Sequence, residues 1–398
     1  MSDSFDLVMH YPWLPSIKDY YSDIAEKSPH DFISDFLSKD FKDEIFERIY
    51  QIFKAAFDNL ENFYYYKIDN SNVYLYILLK ILLYLLDNKH ISNRIANLYS
   101  KINYHDLIEE NDYNTYQICK NLGIDIQYSE NKIQYGLKIT KDYTEKLETN
   151  FRIQILDYLK LENNLRDDYR KLVNMPIKDG YVYIQQRRLM RLIQEYVRNK
   201  ILDKKDEDKP SIKDLKKSLL KIEEFKKLYD KIEASWKEKK EEIQYFEDTG
   251  FIETENINLI YPPCMKEILL KAKEGQNLIH IERLVILFFL LALGYPVEEI
   301  VKIFSNLPDF DKEKTTYQVN FAKNKEYVPH ACETLKSLDL CMAKKYNDPI
   351  CINGYYIKKR DEYKKINHPL SYVRRRRFIE KVKADFQNKQ NDNKDEGN

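Results

Sequence analysis

Apolar residues along the first half of the chain mostly recur every three or four positions, which is the period of an α-helix. Residues 74–86 and 186–202 follow this pattern and predict two long helices. A strict four-residue step predicts another helix with one buried face, formed by Phe41, Ile45, Ile49, Phe53 and Phe57. The first half is therefore predicted to be mainly helical.

The period changes after Gly123, where apolar and polar residues alternate. Residues 124–128 and 133–139 predict two strands joined by a turn at 129–131, and a helix is expected to follow from 143 to 172. Residues 181–184 predict a third strand. These strands indicate a small α/β portion, at about residues 108–200, inside a helical domain.

Residues 211–243 carry apolar side chains at near-heptad spacing, which predicts one long helix with a narrow packed face. A domain boundary is expected at its end. The predicted organisation is an N-terminal domain at 1–245, a linker at 246–255 and a C-terminal domain at 256–387. Residues 388–398 contain no apolar side chain and are expected to form a disordered tail.

Composition limits the classes of function. The chain has 398 residues, with 65 basic and 65 acidic side chains, so any binding of nucleic acid must come from local basic patches. The start lacks the basic and apolar segments of a signal peptide, and no apolar run reaches the roughly 20 residues of a membrane span. We therefore expect an intracellular protein without a membrane partner.

Four of the five cysteines lie in the last third of the chain, at Cys264, Cys332, Cys341 and Cys351. None of them forms the close Cys-x-x-Cys pair that is typical of zinc sites. An iron–sulfur cluster can take its thiolates from separate loops. From spacing alone, a cluster, a zinc ion and a set of buried thiols all remain open. Cys119, on a predicted helix, is expected to be a core residue.

Several groups near these cysteines suit a phosphate or a base. His280 and Arg283 lie three positions apart on a predicted helix and could share a face toward a phosphate. The alternative is an arginine paired with an acid beside a solvated histidine. Residues 316–319 read as a strand, in which Tyr317 could either stack on a base or fill a core.

Arg374 to Arg377 form the strongest basic run in the sequence. Such a run could contact phosphates, or it could be the solvated face of a last helix. The sequence has no Gly-rich nucleotide loop and no pair of carboxylates in a polymerase-like setting. These absences from the sequence weigh against a self-contained catalyst.

The order of the C-terminal motifs resembles the large subunit of archaeal and eukaryotic DNA primase. The resemblance is specific over about residues 256–378. Its pieces are Tyr261-Pro-Pro-Cys264-Met265, Leu278-Ile-His280-Ile-Glu-Arg283, Gly294-Tyr-Pro, Thr316-Tyr317-Gln318-Val319, His330-Ala-Cys332, Cys341, Cys351 and His368-Pro-Leu-Ser-Tyr372. Ile279 and Thr315 depart from the eukaryotic pattern, so the likeness is closer to the archaeal type.

The resemblance implies a mainly α protein, with a helical N-terminal domain that contains the small α/β portion and a helical iron–sulfur C-terminal domain. It implies a non-catalytic regulatory subunit that docks a small catalytic subunit and works in DNA replication at the cytoplasmic nucleoid. The four cysteines become ligands of a [4Fe-4S] cluster.

The resemblance also implies a set of contacts to the DNA template, the initiating NTP and the RNA primer. They fall on His280, Arg283, Tyr317 and Gln318, and the basic run adds Arg374 and Arg375. Two competing hypotheses are a zinc- or cluster-stabilised nucleic-acid-binding adaptor without a primase role and an iron–sulfur redox enzyme. A redox enzyme predicts an open iron site or a second cofactor pocket.

Overall fold

The structure is a computed structural model, and it divides the chain into two units, Met1–Lys240 and Glu241–Asn398. The predicted tail at 388–398 and most of the predicted linker lie outside the described residues, so the exact boundaries of the linker stay predictions. The structure describes residues 7–60, 63, 69–138, 144–162, 165, 170–203, 211–248, 260–357 and 361–380.

The first unit consists of helices around one small sheet. Its helices include α1 (Ile17–Tyr20), α2 (Ser22–Ala25), α3 (Pro29–Phe36), α4 (Lys42–Phe57), α5 (Ser71–Leu86), α6 (Lys89–Glu109), α7 (Asp112–Asn121), α8 (Ile155–Glu162), α9 (Gln186–Leu202), α10 (Ile212–Leu219) and α11 (Glu223–Asp248), the last of which extends beyond the unit. Its strands are β1 (Ile126–Lys138), β2 (Thr144–Gln154), β3 (Ile177–Lys178) and β4 (Tyr181–Ile184).

The apolar stripes of the sequence form the core of this unit. Ile45, Ile49 and Phe53 on α4 are fully buried, as the four-residue step predicted. Trp13 is also buried near the N-terminus, and its indole N–H donates to Asn103 Oδ1 on α6 at 2.6 Å. Such a bond removes the cost of burying both polar groups.

The four strands form one antiparallel sheet in the order β1-β2-β4-β3. The predicted turn at 129–131 is wrong, because these residues form a bulge within the single strand β1. Asn150 stabilises the bulge by donating to Ser129 O at 2.9 Å. The helix predicted from 143 is also wrong at residues 144–154, where Phe151 and Ile153 face the core from β2.

The long helix predicted at 211–243 is interrupted. Residues 220–222 form a turn between α10 and α11, and α11 continues to Asp248. Its apolar seam packs on the first unit itself: the Trp236 ring lies 5.1 Å from the Phe57 ring, and Ser235 bonds to Tyr50 at 3.2 Å. The near-heptad spacing therefore indicated a packed face correctly but did not indicate the break.

The second unit is also mainly helical, and its core centres on the apolar side of one helix, which contributes Val285, Ile286 and Phe289. The helices are α12 (Pro263–Lys273), α13 (His280–Ala292), α14 (Val297–Phe304), α15 (Lys312–Asn324), α16 (Cys332–Ser337), α17 (Pro349–Asn353) and α18 (369–380). Two strands, β5 (Tyr355–Ile357) and β6 (Glu362–Lys364), pair as an antiparallel hairpin.

The strand predicted at 316–319 is wrong, because these residues lie within α15. Val319 and Ala322 are buried three positions apart, which is a helical spacing. Asp311 caps the helix by accepting the N–H of Lys314 at 2.9 Å. The alternation of polar and apolar residues at 316–319 therefore does not form a strand. The segment is a helix that packs Val319 and Ala322 into the core.

The two units together confirm the predicted mainly α fold, with the small sheet in the first of them. Among the residues that the structure describes, none of the helices is both long and apolar enough to cross a membrane.

Candidate metal centre and nucleic-acid interface

The four cysteines of the second unit come from four different segments. Cys264 lies in the first turn of α12, just after Pro263, and Cys332 is the first residue of α16. Cys341 follows α16 in a loop, and Cys351 lies in α17 after Pro349. Three of the four thiols therefore belong to helix starts, and in two of these helices, α12 and α17, a proline in the first turn fixes the direction of the chain.

These four thiols share one neighbourhood. Burial first, and then the nearby thiols of Cys332 and Cys341, raise the pKa of Cys264 to about 12. The pKa of Cys351 is raised well above its ordinary value by burial first, then by Asp348, and then by Cys264 and Cys332. Cys264, Cys332 and Cys341 thus each make ionisation of a neighbouring thiol less favourable, since thiolates repel one another.

This donor set fits a cationic group that lies between the thiols. A metal centre removes the repulsion by neutralising the thiolates. Within the described part of the chain, no three histidine, cysteine, aspartate or glutamate side chains are close enough to hold one metal ion together. A [4Fe-4S] cluster binds each thiolate through a separate iron, so its ligands stand further apart than those of a single zinc ion.

Asp348 anchors the segment that contains the fourth cysteine. Its Oδ1 accepts the backbone N–H of Cys351 at 2.8 Å, and its Oδ2 accepts the hydroxyl of Tyr372 at 2.8 Å. Arg376 donates to the Tyr372 oxygen at 3.1 Å and lies 3.9 Å from the carboxylate. Tyr372 was expected only as part of a motif, and no pattern in the sequence pointed to Asp348.

Residues just before and at the start of the last helix also contact the segment of Cys332. The backbone N–H of Cys332 donates to Asn367 O at 3.0 Å, and a ring nitrogen of His368 lies 3.2 Å from Pro329 O. The motif His368-to-Tyr372 therefore touches the segments of two cysteines. We call this set of contacts, made by residues 367–376, the C-terminal clasp.

The two residues predicted on α13, His280 and Arg283, lie in different environments. His280 is exposed at the first turn. Arg283 donates to both carboxylate oxygens of Asp309 at 2.9 and 2.8 Å, and to Asn277 Oδ1 at 2.9 Å. The structure thus contains the arginine–acid pair that the alternative interpretation expected, with Asp309 as the acid. A phosphate at Arg283 would have to compete with that pair.

Tyr317 and Gln318 are both exposed on α15. The helix places Tyr317 one turn before Phe321, and the two rings stack with centroids 6.3 Å apart. The alternative in which Tyr317 fills a core is therefore excluded.

The two arginines predicted at the basic run differ in environment. Arg374 is exposed on α18. The guanidinium carbon of Arg375 lies 4.4 Å from the Tyr355 ring centre and 5.4 Å from that of Phe378, so this cation is held by two aromatic rings. Neither environment tests a contact with nucleic acid, and both roles stay predictions.

Cys119, in the first unit, is confirmed as a core residue. It is fully buried on α7, and burial raises its pKa to about 12.

Two family models match the chain, and each of them covers one of its halves. Residues 29–212 match the N-terminal domain, and residues 255–391 the C-terminal domain, of the large subunit of eukaryotic and archaeal DNA primase. The chain belongs to the large-subunit family of eukaryotic and archaeal DNA primases. The resemblance that the motifs indicated is thereby confirmed.

Archaeal members of the primase family show the same relationship. The chain is 31% identical over 236 residues to the DNA primase large subunit PriL of Methanosarcina acetivorans, 30% over 268 residues to that of Methanococcoides burtonii and 31% over 247 residues to that of Thermoplasma volcanium. These alignments cover 58%, 65% and 59% of this chain, and 56%, 66% and 66% of the relatives. The chain thus spans somewhat less than two thirds of those proteins.

We predict that Tyr372→Phe weakens the C-terminal clasp. The variant removes the hydroxyl that donates to Asp348, which leaves a buried carboxylate with one donor fewer. A loss of about 1–3 kcal/mol in the free energy of unfolding is expected, together with faster hydrogen exchange at the Cys351 amide. The control is Tyr363→Phe, because Tyr363 is largely exposed. Equal stability and equal exchange in the two variants would contradict the clasp.

Proposed function

We propose that this chain is the regulatory, non-catalytic large subunit of a DNA primase. It would stabilise a small catalytic subunit and position the template and the initiating NTP for synthesis of an RNA primer. The observation that carries the proposal is the shared neighbourhood of four thiols from separate segments, in a chain whose two halves match the two domains of this family.

The proposed metal centre is a [4Fe-4S] cluster bound by Cys264, Cys332, Cys341 and Cys351. When bound, the cluster would link the four segments and offset the repulsion between their thiolates. The chain's own contribution is to fix the ligands. Pro263 and Pro349 set the starts of α12 and α17, and the C-terminal clasp holds the segments of Cys332 and Cys351.

The proposed nucleotide and template contacts lie on the exposed parts of the second unit. His280 would donate to a phosphate of the initiating NTP, and Tyr317 and Gln318 would face the template or the primer. Arg374 and Arg377 are the exposed cations of the basic run, and Arg374 is the one proposed to contact nucleic acid. Arg283 and Arg375 would act after exchanging an internal partner for a phosphate, which costs part of the binding free energy.

Holding two nucleotides together on a template reduces the entropic barrier to the first bond. Such a role requires a docked catalytic subunit, because the proposal assigns no catalytic residue to this chain. The α/β portion of the first unit offers an exposed apolar set for docking, and it consists of Leu156, Leu159, Val173 and Ile177. If these side chains form one contiguous patch, they would have the character of a protein interface.

The cluster is tested by replacing each of the four cysteines with alanine in the full chain. We expect each variant to lose most of its iron and acid-labile sulfide, and the broad visible absorption to fall, because a missing thiolate exposes one iron. Cys119→Ala is the matched control and should keep the full iron content, since Cys119 is buried in the other unit.

The same measurement separates the cluster from its competitor. A colourless protein that contains one zinc ion per chain, lost on the same four substitutions, would replace the proposal with a zinc-stabilised adaptor. Four variants that retain metal as the wild type does would exclude both kinds of centre.

Docking of the small subunit is tested by Leu156→Asp and Val173→Asp. Each variant places a charge on the exposed apolar set, so heterodimer affinity should fall by about tenfold or more while the chain itself keeps its stability. Leu270→Asp, at an exposed leucine of the second unit, is the matched control. Titration calorimetry with the purified small subunit measures the affinity, and unchanged affinity in both test variants would place the interface elsewhere.

Initiation is tested by His280→Ala in the reconstituted heterodimer. Loss of a hydrogen bond to a charged phosphate costs about 1.5–3 kcal/mol, which corresponds to a roughly ten- to hundredfold slower formation of the first dinucleotide. Extension of a preformed primer should change little. If both steps slow equally, or neither does, His280 has no specific role in initiation.

A further inference from the structure

A buried carboxylate lies beside the fourth cysteine. Asp348 is 8% exposed, and its Oδ1 accepts the backbone N–H of Cys351 at 2.8 Å. Its negative charge acts on the sulfur, because burial first and then Asp348 raise the pKa of Cys351. A charge that is shielded from water is felt more strongly by its neighbours than one in solvent. Asp348 is therefore a fixed negative charge next to the proposed metal centre.

One arginine offsets part of this charge. The Arg376 guanidinium lies 3.9 Å from Asp348 Oδ2, and its Nε–H donates to the Tyr372 hydroxyl oxygen at 3.1 Å. That hydroxyl donates in turn to Asp348 Oδ2 at 2.8 Å. The arginine side chain is 26% exposed, so water screens its charge only in part. An anion and a cation are thus held at fixed positions near Cys351.

The influence of these two charges extends to α12, the helix of the first cysteine. Lys266 is half-buried on that helix, two residues after Cys264. Burial lowers the pKa of Lys266, Arg376 lowers it further, and Asp348 and Cys351 oppose the decrease. Arg376 and Asp348 therefore act on groups at both ends of the thiol neighbourhood.

We propose that Asp348 and Arg376 set the reduction potential of the iron–sulfur cluster, and that they shift it in opposite directions. The inference rests on the proposed function, because it needs the cluster. Reduction by one electron makes a cluster more negative, so a nearby carboxylate disfavours the reduced state and a nearby guanidinium favours it. Both are positioning residues that act through their charge and bind no iron.

The test is a potentiometric titration of the full-length, cluster-containing chain, followed by visible absorption. Dithionite supplies one electron to each cluster and is itself oxidised to sulfite. Asp348→Asn keeps an acceptor for the Cys351 amide but removes the negative charge, and Arg376→Gln removes the positive charge. Arg376→Lys keeps a cation at the same position. Iron and acid-labile sulfide are measured in every preparation, so that each potential refers to an assembled cluster.

We expect Asp348→Asn to raise the midpoint potential and Arg376→Gln to lower it. Each should change the equilibrium constant of reduction about threefold or more, where a tenfold change corresponds to about 59 mV for one electron. Arg376→Lys should stay close to the wild type. Arg374→Gln is the matched control, because it removes the same charge from an exposed position of the same helix, and its potential should equal that of the wild type.

Shifts of the same sign in Asp348→Asn and Arg376→Gln, or wild-type potentials in both, would overturn the inference and leave the cluster in place. An equal shift in Arg374→Gln, or a wild-type cluster that accepts no electron from dithionite, would also overturn it. If Asp348→Asn assembles no cluster, the comparison of Arg376→Gln with Arg376→Lys decides. A wild-type chain without iron and sulfide would reject the proposed cluster itself, and the inference with it.

Discussion

The gathering of four thiols from separate segments into one neighbourhood is the constraint on which the second unit depends. Burial, together with neighbouring thiols, raises the pKa of Cys264, Cys332 and Cys351, so these groups ionise less readily than a free thiol. Segments that are distant in sequence need additional ties to stay together. Asp348 supplies one such tie, since one carboxylate accepts both the Cys351 amide and the Tyr372 hydroxyl.

Contacts in and beside the C-terminal clasp also explain the roles of the arginines on the last helix. Arg376 supports Tyr372, and Arg375 is held between two aromatic rings, so half of the basic run stabilises the unit itself. The arginine run on α18 thus has two roles: Arg375 and Arg376 are half-buried and stabilise the unit, whereas Arg374 is exposed. The exposed residues that remain for nucleic acid include Arg374 on this helix and His280 at the start of α13.

Local patterns predicted elements well where one helical face meets a core. The stripe on α4 and the bounds of α9 follow directly from the sequence, because a buried helix needs apolar residues at every third or fourth position. Alternation was less reliable. It suggested a strand at 316–319, which is helical, and the alternation at 147–153 was missed because its polar residues resemble a solvated helix.

The candidate site was likewise predictable only in part from the sequence. The sequence by itself determined the residue types: four thiols, a motif order typical of the primase family, and a histidine and a tyrosine whose exposure it left open. Only the tertiary structure decided which acids hold these groups, since Asp309 lies 26 residues from Arg283 along the chain and Asp348 lies 24 from Tyr372. Partners so far apart in sequence leave no periodic signal, because folding rather than local geometry brings them together.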